Sequence, residues 1–338
     1  IKWYHKNKRD LPWRNTTNPY KIWISEIILQ QTKVSQGFPY YISFIDRFPT
    51  ITDLANASED QVLKVWQGLG YYSRARNLHF SAKIIRDNFN CQFPSEYKLI
   101  RELRGVGDYT AAAISSFCYN LPYAVLDGNV SRVLSRYFAI DTPIDSLNGK
   151  KKLKALSQKL LNKETPSIYN QAIMEFGALM CTPKKTDCSV CPLRYSCKSF
   201  GTDLVELLPI KSKSLKITNK HFNYLIILSD KQTYLQKRTS GIWNALYQFP
   251  LIEGELTEHQ IVHTKQWKNI FIGNTIIDEV SLKIKHKLSH QLIFTRFYHI
   301  KCDEINDSEF LKINWSEIEI YPLPILIDKY IKSVILHK

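Results

Sequence analysis

Four cysteines lie close together just past the middle of the chain, at Cys181, Cys188, Cys191 and Cys197. Thiolates at this density can enclose an iron–sulfur cluster or a single tetrahedral zinc ion. Buried free thiols and disulfides are the alternatives, and disulfides need an oxidising compartment for which the sequence carries no signal. The all-thiol set and the proline that follows the third cysteine favour an iron–sulfur cluster over zinc.

Glu26 is a candidate general acid. It is the only charged residue between Lys21 and Lys33, and bulky apolar residues flank it in sequence. A carboxyl group held among such side chains loses hydration, so its pKa rises and it can donate a proton near neutral pH. The alternative is an exposed glutamate on the polar side of an amphipathic helix.

Asp127 is the second candidate carboxylate. It follows an apolar run and precedes the helical pattern that begins at Val130. A helix cap would also explain an aspartate at this place. One protonated acid and one anionic carboxylate form the pair that glycosidic cleavage requires, the first for the leaving group and the second for the cationic sugar.

Two glycines, Gly105 and Gly107, directly precede an alanine-rich helical segment. Such a hairpin can turn backbone N–H groups toward a phosphate, although a tight turn between two helices has the same pattern. Gln30, Gln31 and Tyr71 could fill and stack within a disrupted duplex, or form ordinary helix surface. Together with the two carboxylates, this hairpin indicates an N-glycosidic bond in DNA as the substrate.

The charge of the chain favours a polyanionic partner. Its 338 residues include 46 Lys and Arg against 31 Asp and Glu, a formal net charge of +15. A membrane surface is the rival partner, but the sequence has no basic amphipathic helix with a clear apolar face. It also has no run of about 18 apolar residues that could cross a bilayer, and no secretory core at its start, so we expect a cytoplasmic protein.

The hydrophobic periodicity changes once along the chain. Between about residues 19 and 171 apolar residues recur at helical spacing, whereas 221–228, 233–238 and 291–300 are short β-rich runs. The pattern predicts a multidomain protein with an all-α domain over residues 1–200, whose cysteine loop spans 181–197. A lysine-rich linker over 201–220 and an α/β domain over 221–338 follow.

The motifs together resemble the helix-hairpin-helix DNA glycosylase superfamily, over most of the chain. Within it, the A/G-specific adenine glycosylase (MutY) family is the most similar, and endonuclease III is the competing relative. The segments that carry the resemblance are Leu11-Pro12-Trp13-Arg14, Ser25-Glu26-Ile27-Ile28-Leu29-Gln30-Gln31-Thr32, Gly68-Leu69-Gly70-Tyr71-Tyr72-Ser73-Arg74 and Asp127-Gly128-Asn129-Val130-Ser131-Arg132-Val133-Leu134.

The resemblance implies a role for each matching residue. Glu26 would protonate N7 of adenine and later help to activate water, and Asp127 would stabilise the oxocarbenium-like sugar. Tyr109 and Asn129 would orient these carboxylates. Arg14, Gln31 and Tyr71 would hold the extruded adenine, fill the duplex and wedge the opposing base step. Endonuclease III has a nucleophilic lysine where this chain has Tyr109, so the resemblance implies an enzyme without lyase activity.

The C-terminal pattern resembles the Nudix-like domain that reads 8-oxoguanine in this family. Ser289 and His290 match its lesion-reading loop, and Leu288 stands where the family has phenylalanine. The glutamate-rich box needed for metal-dependent nucleotide hydrolysis does not follow Phe249-Pro250-Leu251. We therefore expect a reading role for this domain and no nucleotide hydrolysis.

These observations predict a bacterial base-excision-repair glycosylase with one [4Fe–4S] cluster. Its partner would be double-stranded DNA that contains adenine opposite 8-oxoguanine or guanine, and we expect a monomer. A bifunctional lyase and a non-catalytic binder of damaged DNA are the competing hypotheses.

Overall fold

The fold is described from a computed structural model, which covers residues 1–212, 217–229, 231–306 and 308–335. The chain divides into two compact units. The first comprises Ile1–Asn56 and Arg76–Ser214, and the second comprises Ala57–Ala75 and Leu215–Lys338. This grouping differs from the division in chain order, because the segment 57–75 belongs to the second unit.

The first unit consists of α-helices, as the periodicity predicts. Its helices are α1 (Lys2–Asn7), α2 (Pro19–Ile28), α3 (Val34–Arg47), α4 (Ile51–Asn56), α6 (Ser73–Asn88, which begins in the second unit), α7 (Tyr97–Glu102), α8 (Asp108–Tyr119), α9 (Gly128–Tyr137), α10 (Leu147–Leu160), α11 (Pro166–Leu179) and α12 (Leu204–Leu207). Helix α5 (Glu59–Val65) belongs to the second unit. Short 3-10 turns occur at Pro12–Arg14 and Arg194–Ser196.

Side-chain caps fix where several of these helices begin. Asn18 accepts hydrogen bonds from the backbone N–H groups of Tyr20 and Lys21 at the start of α2, where Pro19 occupies the first helical position. Ser58 and Gln61 form a capping box at the start of α5. These residues satisfy N–H groups that have no partner inside the helix, which explains why each helix starts there.

The second unit is of mixed α/β type. Its strands are β1 (Thr218–Ile227), β2 (Gln232–Lys237), β3 (Tyr247–Gln248), β4 (Leu251–Glu253), β5 (Phe271–Val280), β6 (Ile284–Lys287), β7 (Gln291–Ile305) and β8 (Leu311–Asn314). Its later helices are α13 (Glu258–Ile261), α14 (Lys265–Ile270) and α15 (Ile325–Tyr330), with a 3-10 segment at Trp315–Ile320 and a π-helical turn at Ile331–Ile335. The predicted fold class, a helical domain followed by an α/β domain, is confirmed.

Two sheets organise the second unit within the described residues. The larger has the order β4-β1-β7-β5, with β6 also paired to β7, and the smaller has the order β3-β2-β8. Strands β1 and β7 run parallel, and β5 and β6 run antiparallel to β7. The buried residues Leu225, Tyr298 and Ile300 of these strands pack with Trp267 of α14. The short turn from β6 to β7 places residues 288–290 at the end of the large sheet.

The predicted linker lies only partly within the described residues, because Lys213–Lys216 fall outside them. The described part contains α12 and ends with the first residues of β1, which starts at Thr218. The predicted domain boundaries stay predictions. In the described residues, the structure contains no helix with the length and apolarity that spanning a membrane requires.

Candidate active site

A cavity of about 160 Å³ in the helical unit brings the two candidate carboxylates together. Glu26 comes from α2, Tyr109 from the start of α8, and Asp127 and Asn129 from the start of α9. Arg14 also lines this cavity. Five residues singled out in four separate stretches of sequence therefore line one cavity.

Glu26 is buried, with only 6% of its surface exposed, so the alternative of an exposed glutamate is wrong. The Tyr109 hydroxyl donates a hydrogen bond of 2.7 Å to Glu26 Oε2. Burial raises the pKa of Glu26 to about 7, and the charge of Asp127 adds to this rise while the Tyr109 hydrogen bond opposes it. A carboxyl group with this pKa carries a proton in a large fraction of molecules at neutral pH.

Asp127 caps α9 and lines the cavity at the same time. Its Oδ1 accepts a 2.7 Å hydrogen bond from the Val130 N–H, and its Oδ2 accepts one of 2.8 Å from Asn129 Nδ2. Burial raises the pKa of Asp127, but these hydrogen bonds stabilise the anion and oppose that rise. The cap explanation is therefore confirmed, and it does not compete with a role in the cavity.

Glu175 of α11 also lines the cavity, and the sequence reasoning missed it. Its side chain is fully buried and accepts hydrogen bonds from Arg14 Nη1 at 2.8 Å and from Arg9 Nε at 2.9 Å. Burial alone would raise the pKa of Glu175, but the hydrogen bonds from both arginines outweigh it and hold the pKa at about 2. At neutral pH Glu175 is thus an anion, whereas Glu26 in the same cavity keeps its proton in a large fraction of molecules. Its position among apolar residues of a helix is the same signal that singled out Glu26.

The glycine hairpin joins α7 to α8 as a tight turn. Gly105 has a φ of +83°, and a Cβ there would lie 2.9 Å from Cβ of Asn77. Gly107 is the N-cap of α8 and leaves open space on its Cα. The turn therefore requires glycine at 105, and both residues leave the backbone accessible.

The glutamines that follow α2 do not line the cavity as the structure describes it. Gln30 Nε2 donates to Thr110 Oγ1 at 3.3 Å, which ties the end of α2 to α8. Gln31 is exposed and has a left-handed φ of 55°. A non-glycine residue in this conformation is uncommon, and such positions are concentrated at functional sites.

The four cysteines line a second, small cavity of about 30 Å³ in the helical unit. The buried Arg136 lies beside it and donates from Nη1 to Cys181 Sγ at 3.5 Å and to the Thr182 carbonyl at 2.7 Å. Among the residues the structure covers, no three His, Cys, Asp or Glu side chains are grouped so that they could hold a metal ion. The four thiols that share this cavity, with no other ligand-type side chain among its lining residues as described, nevertheless suit a cluster bound by one thiolate at each corner.

Arg132 connects the cysteine loop with the first cavity. Its Nε donates to the Cys181 carbonyl at 2.8 Å, and its Nη2 donates to Asn129 Oδ1 at 2.9 Å. Asn129 in turn donates to Asp127. A continuous series of hydrogen bonds therefore runs from the backbone of a cysteine to the carboxylate of Asp127.

Three further predicted residues lie in the second unit. The Tyr71 hydroxyl and the Ser289 Oγ form a hydrogen bond. Ser289 and His290 are both exposed in the turn from β6 to β7. The structure therefore brings Tyr71 to the predicted reading loop, although 218 positions separate Tyr71 from Ser289.

Comparisons with known proteins agree with both parts of the fold. Residues 24–166 match the HhH-GPD superfamily base excision DNA repair protein family, and residues 223–333 match the NUDIX domain family. An adenine DNA glycosylase of Buchnera aphidicola subsp. Baizongia pistaciae is 37% identical over 99% of this chain and 95% of its own length. The human adenine DNA glycosylase is 39% identical over 59% of this chain and 38% of its own length. A solved thermostable thymine-DNA glycosylase aligns with a TM-score of 0.55 and 28% identity, over 59% of this chain and 92% of that one.

The packing of Asn129 can be tested at Gly177. A Cβ at this position would lie 2.8 Å from Cβ and 2.9 Å from the carbonyl oxygen of Asn129, so Gly177→Ala must displace one of the two helices. We expect the thermal midpoint to fall by an amount equivalent to about 1–3 kcal/mol. Gly128→Ala is the control for the thermal midpoint, because an added Cβ meets nothing within 4 Å there and the residue lies inside α9. Equal midpoints for both variants would contradict the close contact.

The buried carboxyl of Glu26 should make stability depend on pH. Its pKa is about 7 when folded and near 4.5 when exposed, so the folded state binds the proton more tightly and stability falls as pH rises from about 4.5 to 7. Glu26→Gln removes this loss and keeps an acceptor for Tyr109. Thermal unfolding should show that the free energy of unfolding of the variant rises relative to that of the parent chain as pH rises, with a difference of about 3 kcal/mol above pH 7. Parallel curves between pH 4 and 8 would show that Glu26 is not shielded from water.

Proposed function

The chain belongs to the adenine DNA glycosylase family, and from this premise we propose that it removes adenine that lies opposite 8-oxoguanine or guanine in duplex DNA. The observation that carries the proposal is the pairing of Glu26 and Asp127 in one cavity, with a folded-state pKa of about 7 for Glu26. Hydrolysis of an N-glycosidic bond needs a proton donor and an anion, and these two groups supply them.

Glu26 acts as the general acid in this proposal. Tyr109 occupies one carboxyl oxygen through its hydrogen bond to Oε2, so the proton is available from Oε1. Protonation of N7 withdraws electrons from the bond between adenine and the sugar, and the base leaves as a neutral molecule. The resulting Glu26 carboxylate can then accept a proton from the attacking water.

Asp127 stabilises the positive charge that develops on the sugar. The Val130 N–H and the Asn129 amide hold its carboxylate in one orientation, which preorganises the charge before the reaction. Arg14 and Glu175 lie in the same cavity with their charges already paired. They offer a fixed donor and acceptor surface to the extruded adenine.

The enzyme is monofunctional in this proposal. Lyase chemistry on an abasic site proceeds through an amine that forms a Schiff base. Tyr109 stands where endonuclease III has its lysine, and the cavity as the structure describes it has no lysine among its lining residues. The product is therefore an abasic site in an intact strand.

Cys181, Cys188, Cys191 and Cys197 would hold one [4Fe–4S] cluster, since all four line one cavity. When bound, the cluster supplies a rigid cross-link between the ends of the loop. Arg136 neutralises part of the negative charge of the thiolates through its contact with Cys181 Sγ. The loop then presents a fixed carbonyl to Arg132.

The remaining predicted residues would contact DNA. Gly105 and Gly107 expose backbone N–H groups to a phosphate, and Gln30 and Gln31 lie at the end of the helix that carries Glu26. The α/β domain, for which we retain the boundaries 221–338, reads the base opposite adenine through Ser289 and His290. The net charge of +15 attracts the phosphate backbone to both parts.

The decisive experiment measures base release from three duplexes, which carry adenine opposite 8-oxoguanine, adenine opposite guanine, and thymine glycol. We expect free adenine from the first two, with strand cleavage only after alkali. Glu26→Gln should lower base release by at least about 10²-fold while binding to the mismatch persists. The rate should also fall as pH rises through about 7, where Glu26 loses its proton.

The competing functions give different results in the same assay. A lyase would cleave the strand without alkali and form a borohydride-trappable adduct. A non-catalytic binder would release no adenine, and its binding would be equal in Glu26→Gln and in the parent chain. Undiminished base release by Glu26→Gln would show that Glu26 is not the general acid.

The reading role is tested by replacing Ser289 and His290 with alanine. Loss of their hydrogen bonds should lower the preference for 8-oxoguanine over guanine opposite adenine by about five- to tenfold, measured as the ratio of kcat/KM values. Ser308→Ala removes a hydroxyl elsewhere in the same unit and serves as the control. A ratio that is unchanged in the double variant would exclude this loop as the reader.

A further inference from the structure

We propose that helix α5 is the positioning element of the lesion reader, and that Asp60 anchors it. This inference rests on the proposed reading role of the turn that contains Ser289. The segment 57–75 belongs to the same compact unit as the strands of the α/β domain. Its hydrogen bonds to the rest of this unit are made by two residues of α5 and by residues of the turn that follows, the last of them Tyr71.

The first turn of α5 makes a paired contact through Asp60. Its Oδ1 accepts from Lys237 Nζ of β2 at 2.6 Å, and its Oδ2 accepts from the Tyr247 hydroxyl of β3 at 3.0 Å. The Lys237 ammonium also lies 5.2 Å from the centre of the Tyr247 ring. One carboxylate therefore binds two neighbouring strands of the small sheet at once.

Lys64 in the last turn of α5 and Gln67 in the turn that follows make further contacts with this unit. Lys64 Nζ donates to the Tyr321 carbonyl at 3.2 Å, and Gln67 Oε1 accepts from the Leu323 N–H at 2.9 Å. Tyr321 packs edge-on against Tyr247, with ring centres 4.9 Å apart. Asp60 and Lys64 are four residues apart, the spacing that places side chains on one face of a helix, and Gln67 lies in the turn that follows.

The turn after α5 transmits this anchoring to Tyr71. Trp66 Nε1 and Arg74 Nη2 both donate to the Gly70 carbonyl at 3.1 Å, and the Tyr72 hydroxyl accepts from the Gly68 N–H. Tyr71 follows with a left-handed φ of 50°, and its hydroxyl reaches Ser289. The turn is thus held internally, so the position of Tyr71 depends on where α5 is fixed.

The size of the expected effect follows from the exposure of the anchor. The side chains of Lys237 and Asp60 are 39% and 35% exposed, and an isolated pair of this kind contributes little to stability. The Tyr247 hydroxyl and the contacts of Lys64 and Gln67 make it part of a network, which fixes geometry more than it adds stability. We therefore expect loss of Asp60 to change lesion discrimination rather than folding.

The test compares Asp60→Ala with Glu59→Ala in the full chain. Both substitutions remove one acidic side chain from the first turn of α5. The side chain of Glu59, however, makes no hydrogen bond or ion pair with any part of the chain that the structure describes. The readouts are the ratio of kcat/KM for adenine opposite 8-oxoguanine over adenine opposite guanine, and the fluorescence of 2-aminopurine placed next to 8-oxoguanine. The second readout reports whether Tyr71 unstacks that base step.

Asp60→Ala should lower the ratio by about five- to tenfold and reduce the 2-aminopurine signal, whereas Glu59→Ala should change neither. Asp60→Glu should recover part of both. If Asp60→Ala and Glu59→Ala give the same kcat/KM ratio while Ser289→Ala lowers it, then Asp60 does not anchor the lesion reader, and the proposed reading function is unaffected. If the parent chain shows no preference for 8-oxoguanine, the reading function fails and this inference fails with it.

Discussion

The burial of carboxyl groups in a helical core is the constraint on which the site depends. A carboxylate removed from water costs several kcal/mol unless hydrogen bonds or opposite charges compensate for it, or unless it takes up a proton. In the cavity of the helical unit, one carboxyl group is compensated by partners and another takes up a proton. Glu175 receives two arginines and has a pKa of about 2, whereas Glu26 receives one tyrosine hydroxyl and has a pKa of about 7. The difference in partners separates the pKa values of two acids in one cavity, so that one can carry a proton at neutral pH while the other is an anion.

The same constraint explains why the cysteine loop and the cavity are connected. Arg132 and Arg136 are each less than a tenth exposed, so their guanidinium groups need acceptors inside the protein. The backbone carbonyls of the cysteine loop provide several of these acceptors, including Cys181 and Thr182. Arg132 then uses its remaining donors on Asn129 and on the Gly177 carbonyl at 2.6 Å. The loop therefore contributes to the orientation of Asn129 by satisfying a buried cation, and none of its residues is among the described residues that line the cavity.

Local signals in the sequence predicted much of this arrangement. The β-rich runs fall on β1, β2 and β7, because hydrophobic periodicity acts over a few residues. The burial of Glu26 followed from its apolar neighbours for the same reason. The anionic state of Glu175 could not be predicted in this way, because it depends on Arg9, which is 166 positions away in the chain. Strand β5 was also missed, since its mostly exposed surface gives it no continuous apolar run.

The division of the chain into units shows the same limit on a larger scale. Composition and periodicity change near residue 200, so a reading in chain order assigns every residue before that point to the helical domain. Helix α5 is an ordinary amphipathic helix by its own sequence, with Val62 and Leu63 buried. Its polar contacts lie far along the chain, since Asp60 of α5 and Gln67 of the turn after it meet partners 177 and 256 positions later. A polar face carries no sign of whether water or another segment will satisfy it, so this assignment requires the three-dimensional structure. Once that structure is known, Tyr71 is seen to contact Ser289, so the proposed wedge and the proposed reading loop lie side by side.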